Sequence, residues 1–272
     1  MLLAIDLDGT LVKPRHPVRR TVIDAVRRAI DAGIRATIVT GRMYVGAKPF
    51  AEALGLDGPI VCYQGAVIAD ATTGRFEREV ALANAVAERI YHAAREHGYH
   101  VQFYRDDKFY VESDNQYAQL YARTSGTKPV IVPSLLAEFV GIDSTKVNVV
   151  MEPERTEAAL AVMVEICGND AYVTRSNPEF VEMLSPAVDK GVALRMVAQH
   201  WGVPMHRVAA IGDSYNDLPL LRAAGFGIAM GSSPDSLKAA ADVVVSDVDH
   251  DGVVEAIDRY VLGGEFVSPA PG

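Results

Sequence analysis

Residues 2–11 read LLAIDLDGTL. An apolar run with so little polar interruption fits a strand buried on both faces, as in parallel sheets covered by helices. The run ends in Asp6 and Asp8, one residue apart, followed by Gly9 and Thr10. Side chains alternate along a strand, so the two carboxylates would point the same way if the strand ran straight through them. Adjacent carboxylates repel, and burying them costs roughly several kcal/mol unless a cation or hydrogen-bond donors compensate. The fold must supply that offset, and a divalent metal together with phosphate chemistry meets the demand.

The pattern after this strand alternates. Val22, Ile23, Val26, Ala29 and Ile30 recur at helical spacing, with Gly33 as a stop. An apolar run over 34–39 then ends at Thr40-Gly41-Arg42, which completes a strand, helix, strand unit. A second helix is expected over 47–54 with Pro49 in its first turn. A short strand at 60–62 leads into Tyr63-Gln64-Gly65-Ala66. The C-terminal third repeats the style. A helix at 192–201 stops at Gly202, and a strand at 208–211 ends in Gly212-Asp213-Ser214. A short helix at 216–224, strands at 227–230 and 243–245 and a last helix at 251–262 follow. Residues 263–272, rich in Pro and Gly, are expected to fray.

The middle has a different character. A helix at 83–97 precedes a hairpin, 101–104 with 108–111, around Arg105-Asp106-Asp107. A strand at 147–151, a helix at 156–167 and a strand pair, 172–175 with 180–184, complete a separate α+β unit. It reads as an insertion at 81–186 between two halves of an α/β core, 1–80 and 187–272.

The 272 residues suffice for two domains, and 49% apolar with 22% charged residues describes a globular chain. A net charge of -9 argues against a general nucleic-acid binder, which needs a basic face. The N-terminus has no basic segment and its apolar stretch is broken at Asp6, so a signal peptide and a membrane span are not expected, and the location expected is cytoplasmic. Cys62 and Cys167 are read as two free buried thiols.

In an open parallel sheet, ligands bind beyond the carboxyl ends of the strands. Three polar clusters follow apolar strands here: Asp6 to Thr10, Thr40-Gly41-Arg42, and Gly212-Asp213-Ser214-Tyr215-Asn216-Asp217. One sheet edge would then hold up to four carboxylates (Asp6, Asp8, Asp213 and Asp217), a hydroxyl and an arginine. Carboxylates with water and phosphate oxygens are the usual surroundings of Mg²⁺. Lys190, at the start of a helix, is placed to balance the charge of a phosphate. Taken singly, these clusters are also turn and capping signals, as Asp8-Gly9 or Asn216-Asp217 illustrate. Their order along the chain carries the argument.

In that order, the four segments resemble the motifs of the haloacid dehalogenase-like (HAD) phosphatases: DxDGT at Asp6 to Thr10, Thr40 in TGR, Lys190, and GDxxND at Gly212, Asp213, Asn216 and Asp217. The place of the insertion, together with Tyr63-Gln64-Gly65-Ala66, Asp189-Lys190-Gly191 and Ala229-Met230-Gly231, resembles the Cof-type (class IIB cap) branch. Gln64 and Ser232 depart from the residues common in that branch. The resemblance implies an α/β fold, with a Rossmann-like parallel-sheet core and an inserted α+β cap domain. It implies a Mg²⁺-dependent phosphatase of small phosphorylated metabolites, such as sugar phosphates or phosphorylated cofactors, monomeric or homodimeric. Asp6 would be the nucleophile that forms an aspartyl-phosphate, and Asp8 the proton donor and acceptor. The metal would be held by Asp6, the backbone carbonyl of Asp8 and Asp213, with Asp217 orienting that shell or binding through water. Thr40, in its loop with Gly41, and Lys190 would contact the phosphoryl oxygens. Asn216 would position Lys190 or a phosphate oxygen, and Arg42 would reach the substrate or hold the cap closed. In the cap, Arg105, Asp107, Arg175 and Asn177 are either substrate readers or solvated surface residues. A phosphomutase and a phospho-accepting receiver are the alternatives; the receiver reading leaves the cap and Asp8 unexplained. No G-x-x-x-x-G-K-[ST] is present for a P-loop kinase.

Overall fold

The computed structural model describes residues 1–13 and 16–264. The frayed end expected at 263–272 falls, from residue 265 on, outside the described residues. The chain forms two compact units: Met1–Gly41 with Ala47–Glu77 and the segment from Asp189 on, and Arg42–Gly46 with Arg78–Val188.

The first unit is built on a five-stranded parallel sheet. Leu2–Ile5 is an inner strand, between Arg35–Ile38 at the edge and Val208–Gly212 in the middle; Phe226–Ala229 and Val243–Val244 follow beyond the latter. All four residues of Leu2–Ile5 are almost completely buried, which is why the run needs no polar alternation. The chain leaves this strand toward one side of the sheet and returns on the other, so the strand order reverses beside it. That reversal opens a crevice at the carboxyl ends of Leu2–Ile5 and Val208–Gly212. The strand does not run straight through the aspartates. It ends at Ile5; the N–H groups of Leu11 and Val12 fold back onto the Leu7 carbonyl, at 3.0 and 2.9 Å, and Gly9 turns the chain at φ 89°. Asp6 and Asp8 therefore part company.

The second unit carries a six-stranded sheet ordered Tyr172–Asn177, Phe180–Leu184, Val147–Val150, His100–Arg105, Lys108–Val111, Val130–Ile131. Its helices Asn84–Glu96 and Thr156–Cys167 share one core with the strands: Ile90 and Met163 join Val101, Phe103, Val147, Val149, Val181 and Met183. The alternate residues are unusually polar for buried positions. Gln102 pairs across the strands with Asn148, and Asn148 with Glu182. The Glu182 carboxylate accepts a hydrogen bond from the Lys146 ammonium at 2.6 Å, with both residues buried.

The hairpin expected around residues 105–107 forms, and Asp106 and Asp107 take left-handed φ values of 53° and 52°, as a two-residue turn between twisted strands requires. Asp107 has a second effect. Its carboxylate accepts the N–H groups of Tyr44 and Val45 at 2.9 and 2.7 Å. These are the first donors of the helix Tyr44–Leu54, which otherwise have no partner within a helix. The helix consequently starts three residues before the expected 47, and Pro49 sits in its second turn. The cap that allows this lies 63 residues away in sequence and has no local signature.

Asp107→Ala is expected to lower stability by about 1 kcal/mol, the usual cost of losing an N-cap, with Asp107→Asn intermediate. Equilibrium unfolding measures both; an unchanged Asp107→Ala protein would show that the helix start does not depend on this carboxylate.

Candidate active site

Asp6 directly follows the strand Leu2–Ile5 and holds its place by donating its N–H to the Ile211 carbonyl at 2.9 Å. Asp213 and Asp217 follow the neighbouring strand. The turn Tyr215–Asp217 starts with a capping box, in which the Ser214 side chain and the Asp217 carboxylate satisfy each other's backbone. One Asp217 oxygen, Oδ2, accepts the N–H groups of Asp213 and Ser214, both at 3.0 Å. The other, Oδ1, accepts from the Lys190 ammonium at 2.6 Å. Lys190 donates equally, at 2.6 Å, to Oδ1 of Asp6. It sits in the first turn of the helix Lys190–His200, whose start is fixed by Asp189 accepting the Val192 N–H at 2.7 Å. Lys190, Asp6 and Asp217 are all buried. Asp213 completes the group, and its Oδ1 accepts the Thr10 hydroxyl at 3.1 Å. Asp6, Asp213 and Asp217 each offer an oxygen within 4.8 Å of the others. Gly9 makes the approach possible, because a Cβ there would lie 2.2 Å from Oδ2 of Asp213.

Three carboxylates face one ammonium, so the site carries an excess of negative charge. Burial raises the pKa of Asp6 well above the ordinary carboxylate range, and Asp217 and Asp213 add to the rise while Lys190 opposes it. Asp213 is pushed up to about 7, by burial first and then by Asp217. For Lys190, burial works to lower the pKa, but Asp217 and Asp6 outweigh it, and the net shift is upward. The ammonium therefore stays charged at neutral pH. A divalent cation suits what remains: oxygen donors only, with charge still to neutralise. Asp6 and Asp213 each have a second oxygen outside the Lys190 and Thr10 bonds, and Asp217 offers an oxygen within 4.8 Å of the group.

The other residues singled out in the sequence fall as follows. Asp8 is half-buried on the loop after Asp6, and its carboxylate is not part of the three-carboxylate group. Thr40 is buried at the end of the strand next door, its N–H bonded to the Val61 carbonyl at 2.9 Å. Asn216 donates to Oε1 of Gln64 at 3.0 Å, while Lys190 is gripped by the two aspartates. Arg42 groups with the second unit, and its guanidinium lies 3.4 Å from the Gly46 carbonyl. In that unit Arg105 donates to Glu138 at 2.8 Å and lies over the Phe139 ring, Arg175 pairs with Glu157, and Asp107 caps a helix. Asn177 lies at an irregularity of its strand pair.

Gln64 is the residue that sequence reasoning left without a role. It is buried in a left-handed turn at φ 55°. Its N–H donates to the Thr40 carbonyl at 3.0 Å, and its side-chain amide presses on Gly41, where a Cβ would lie 2.2 Å from Nε2. Through Asn216 it therefore ties the Thr40-Gly41 loop to the loop of Asp213 and Asp217. The only sequence signal was its position after a buried strand, ahead of Gly65-Ala66.

A family model described as haloacid dehalogenase-like hydrolase matches residues 3–257. The chain is similar to a pyridoxal phosphate phosphatase, YbhA, of Escherichia coli (strain K12), with 29% identity covering 96% of this chain and 98% of that protein. It is also similar to a 5-amino-6-(5-phospho-D-ribitylamino)uracil phosphatase, YitU, of Bacillus subtilis (strain 168), at 27% identity over 95% and 97%. Among solved structures, a haloacid dehalogenase-like hydrolase from Bacteroides thetaiotaomicron superposes with a TM-score of 0.83 at 28% identity, covering 95% of this chain and 98% of that one.

Raised carboxylate pKa values fix the sign of a pH effect. Protonated forms are favoured in the fold, so the cluster's contribution without metal is best below the ordinary Asp pKa and is lost as pH rises through about 7. Mg²⁺ should reverse this. At a hundredfold excess over its dissociation constant it is expected to add about 2.7 kcal/mol, or about 5–10 °C in Tm. The gain should be larger at about pH 8 than at about pH 5.5. Thermal melts with Mg²⁺ or chelator test this; an equal response from Asp213→Asn would place the cation elsewhere.

Proposed function

We propose that this chain, which belongs to the haloacid dehalogenase-like hydrolases and is a phosphatase, hydrolyses monoesters of small phosphorylated metabolites with Mg²⁺ through an aspartyl-phosphate on Asp6. The observation that carries the reading is the Lys190 ammonium held at 2.6 Å by both Asp6 and Asp217, with Asp213 alongside, at the reversal point of a parallel sheet.

The chemistry follows from the residues. Lys190 opposes the burial and like-charge repulsion that favour protonated Asp6, and so supports a carboxylate able to attack phosphorus. Asp6 forms the new O–P bond while the bond to the ester oxygen breaks, and Asp8 delivers its proton to the departing alcohol. Asp8 then takes a proton from the water that attacks the aspartyl-phosphate. The Asp6 O–P bond breaks, and inorganic phosphate leaves. Thr40 and Lys190 stabilise the charge on the transferring oxygens. Asp6, Asp213 and the Asp8 carbonyl would hold the Mg²⁺, with Asp217 at its edge. Bound there, the ion would neutralise the phosphate and align it. Gln64 and Asn216 keep the loops of Thr40 and Asp213 in register.

The test is phosphate release from pyridoxal phosphate, flavin mononucleotide, nucleotides and sugar phosphates, with Mg²⁺ and with chelator. Release to water separates hydrolysis from a mutase, which returns the group to a sugar. Asp6→Asn is expected to abolish turnover without lowering Tm, since it removes a buried charge that folding disfavours. Retained activity would refute the nucleophile. Lys190→Ala should lose about a hundred- to thousandfold in kcat, with Arg105→Ala within about tenfold of wild type; the reverse ranking would put the phosphate site in the wrong place.

A further inference from the structure

We propose a second ligand site, for a planar aromatic anion, in a cavity of about 340 Å³ whose lining lies entirely within the Arg78–Val188 unit. The size falls in the range of small-molecule pockets. Its walls include Tyr99, His100 and Tyr117, with Arg95 and Glu112 as charged groups. His100 and Tyr117 are stacked, their ring centres 5.8 Å apart.

The hydrogen bonds of this cavity are out of balance in one direction. Oδ1 of Asn115 accepts the N–H groups of Tyr117 and Ala118 at 3.0 and 3.1 Å, which fixes the orientation of its amide. Nδ2 is then the group that meets Nδ1 of His100, at 3.1 Å, and it must donate. The imidazole accepts at Nδ1 and therefore carries its hydrogen on Nε2. Burial, with Arg95 nearby, lowers the His100 pKa to about 4, so the ring is neutral. Nε2 is shut off from solvent and has no partner among the described residues. A buried donor left without an acceptor costs about 1–3 kcal/mol.

Arg95 is a second donor with spare capacity. Its nearest approach to Glu112 is 3.9 Å, beyond hydrogen-bond reach, and its side chain is largely exposed. On the acceptor side, Oε1 of Glu112 receives the Tyr91 hydroxyl and the Leu135 N–H, both at 2.9 Å, and Oε2 shares that hydroxyl at 3.1 Å. The cavity thus has aromatic surface and surplus donors. The complement is a flat ring that brings a ring-nitrogen or carbonyl acceptor to His100, with an anionic group for Arg95. Nε2 is closed off as the rings stand, so a ligand reaches it only once the His100–Tyr117 stack opens. A carboxylate or a phosphate satisfies the same donors.

Calorimetric titration with nicotinate and with adenosine 5′-monophosphate, in chelator to prevent turnover, distinguishes these two sources of anion. At least one is expected to bind. Arg95→Ala and His100→Phe should each weaken it at least tenfold, while Lys190→Ala should leave it unchanged. Arg95 is exposed enough that its removal does not threaten the fold. Binding of neither probe, or binding indifferent to Arg95→Ala, would overturn the proposal. Loss in Lys190→Ala alone would show that the probe reads the carboxylate site instead. None of these outcomes depends on whether that site hydrolyses phosphate.

Discussion

A single buried ammonium holds the carboxylate-rich end of the core together. Lys190 reaches across 184 residues of sequence to Asp6 and across 27 to Asp217. Without it, three carboxylates would share one crevice with no fixed cation. Removing the ammonium would cost about 3–5 kcal/mol, because the buried carboxylates stay behind without their paired cation. In the proposed mechanism the same cation also keeps Asp6 able to attack, since it opposes both burial and mutual repulsion, which raise the Asp6 pKa. Stability and reactivity thus meet in one side chain, and the surplus negative charge that Lys190 leaves is the reason a divalent ion suits the site.

The sheet explains how so distant a contact forms. Leu2–Ile5, flanked on both sides by parallel neighbours, has its end at the reversal of strand order, so the residues after Ile5 and Gly212 meet without long loops. The inserted unit separates the two halves of the core in sequence while leaving their sheet continuous. Asp189, where the chain re-enters the core, caps the helix that carries Lys190.

Much of this was readable because strand ends and helix starts constrain residue type strongly. The apolar run before Asp6, the glycine-turned loop at Gly9 and the Gly212 to Asp217 segment announced both strands and their acidic ends. The parting of Asp6 and Asp8 was not readable, since alternation holds only while a strand continues and nothing before Gly9 reveals that it stops at Ile5. Nor was the cap on Tyr44 and Val45, because Asp107 lies in a hairpin 63 residues away. Gln64 escaped for a related reason: its role comes from a left-handed turn that aims one amide at both Gly41 and Asn216. In the inserted unit, the paired Lys146 and Glu182 look like surface residues until the fold buries them together. Contacts made across the sheet by residues of ordinary type leave little trace in local pattern.

The central claim is that Asp6, and no other of the clustered carboxylates, becomes covalently attached to phosphorus. Rapid quenching of the Asp8→Asn protein with a substrate and Mg²⁺, followed by peptide mass spectrometry, measures it directly. One phosphoryl group is expected on the peptide carrying Asp6, since Asp8→Asn slows removal of the group by water, and none when Asp6 is also changed to Asn. A phosphoryl group on Asp213 or Asp217, or turnover with no covalent species in any variant, would contradict it.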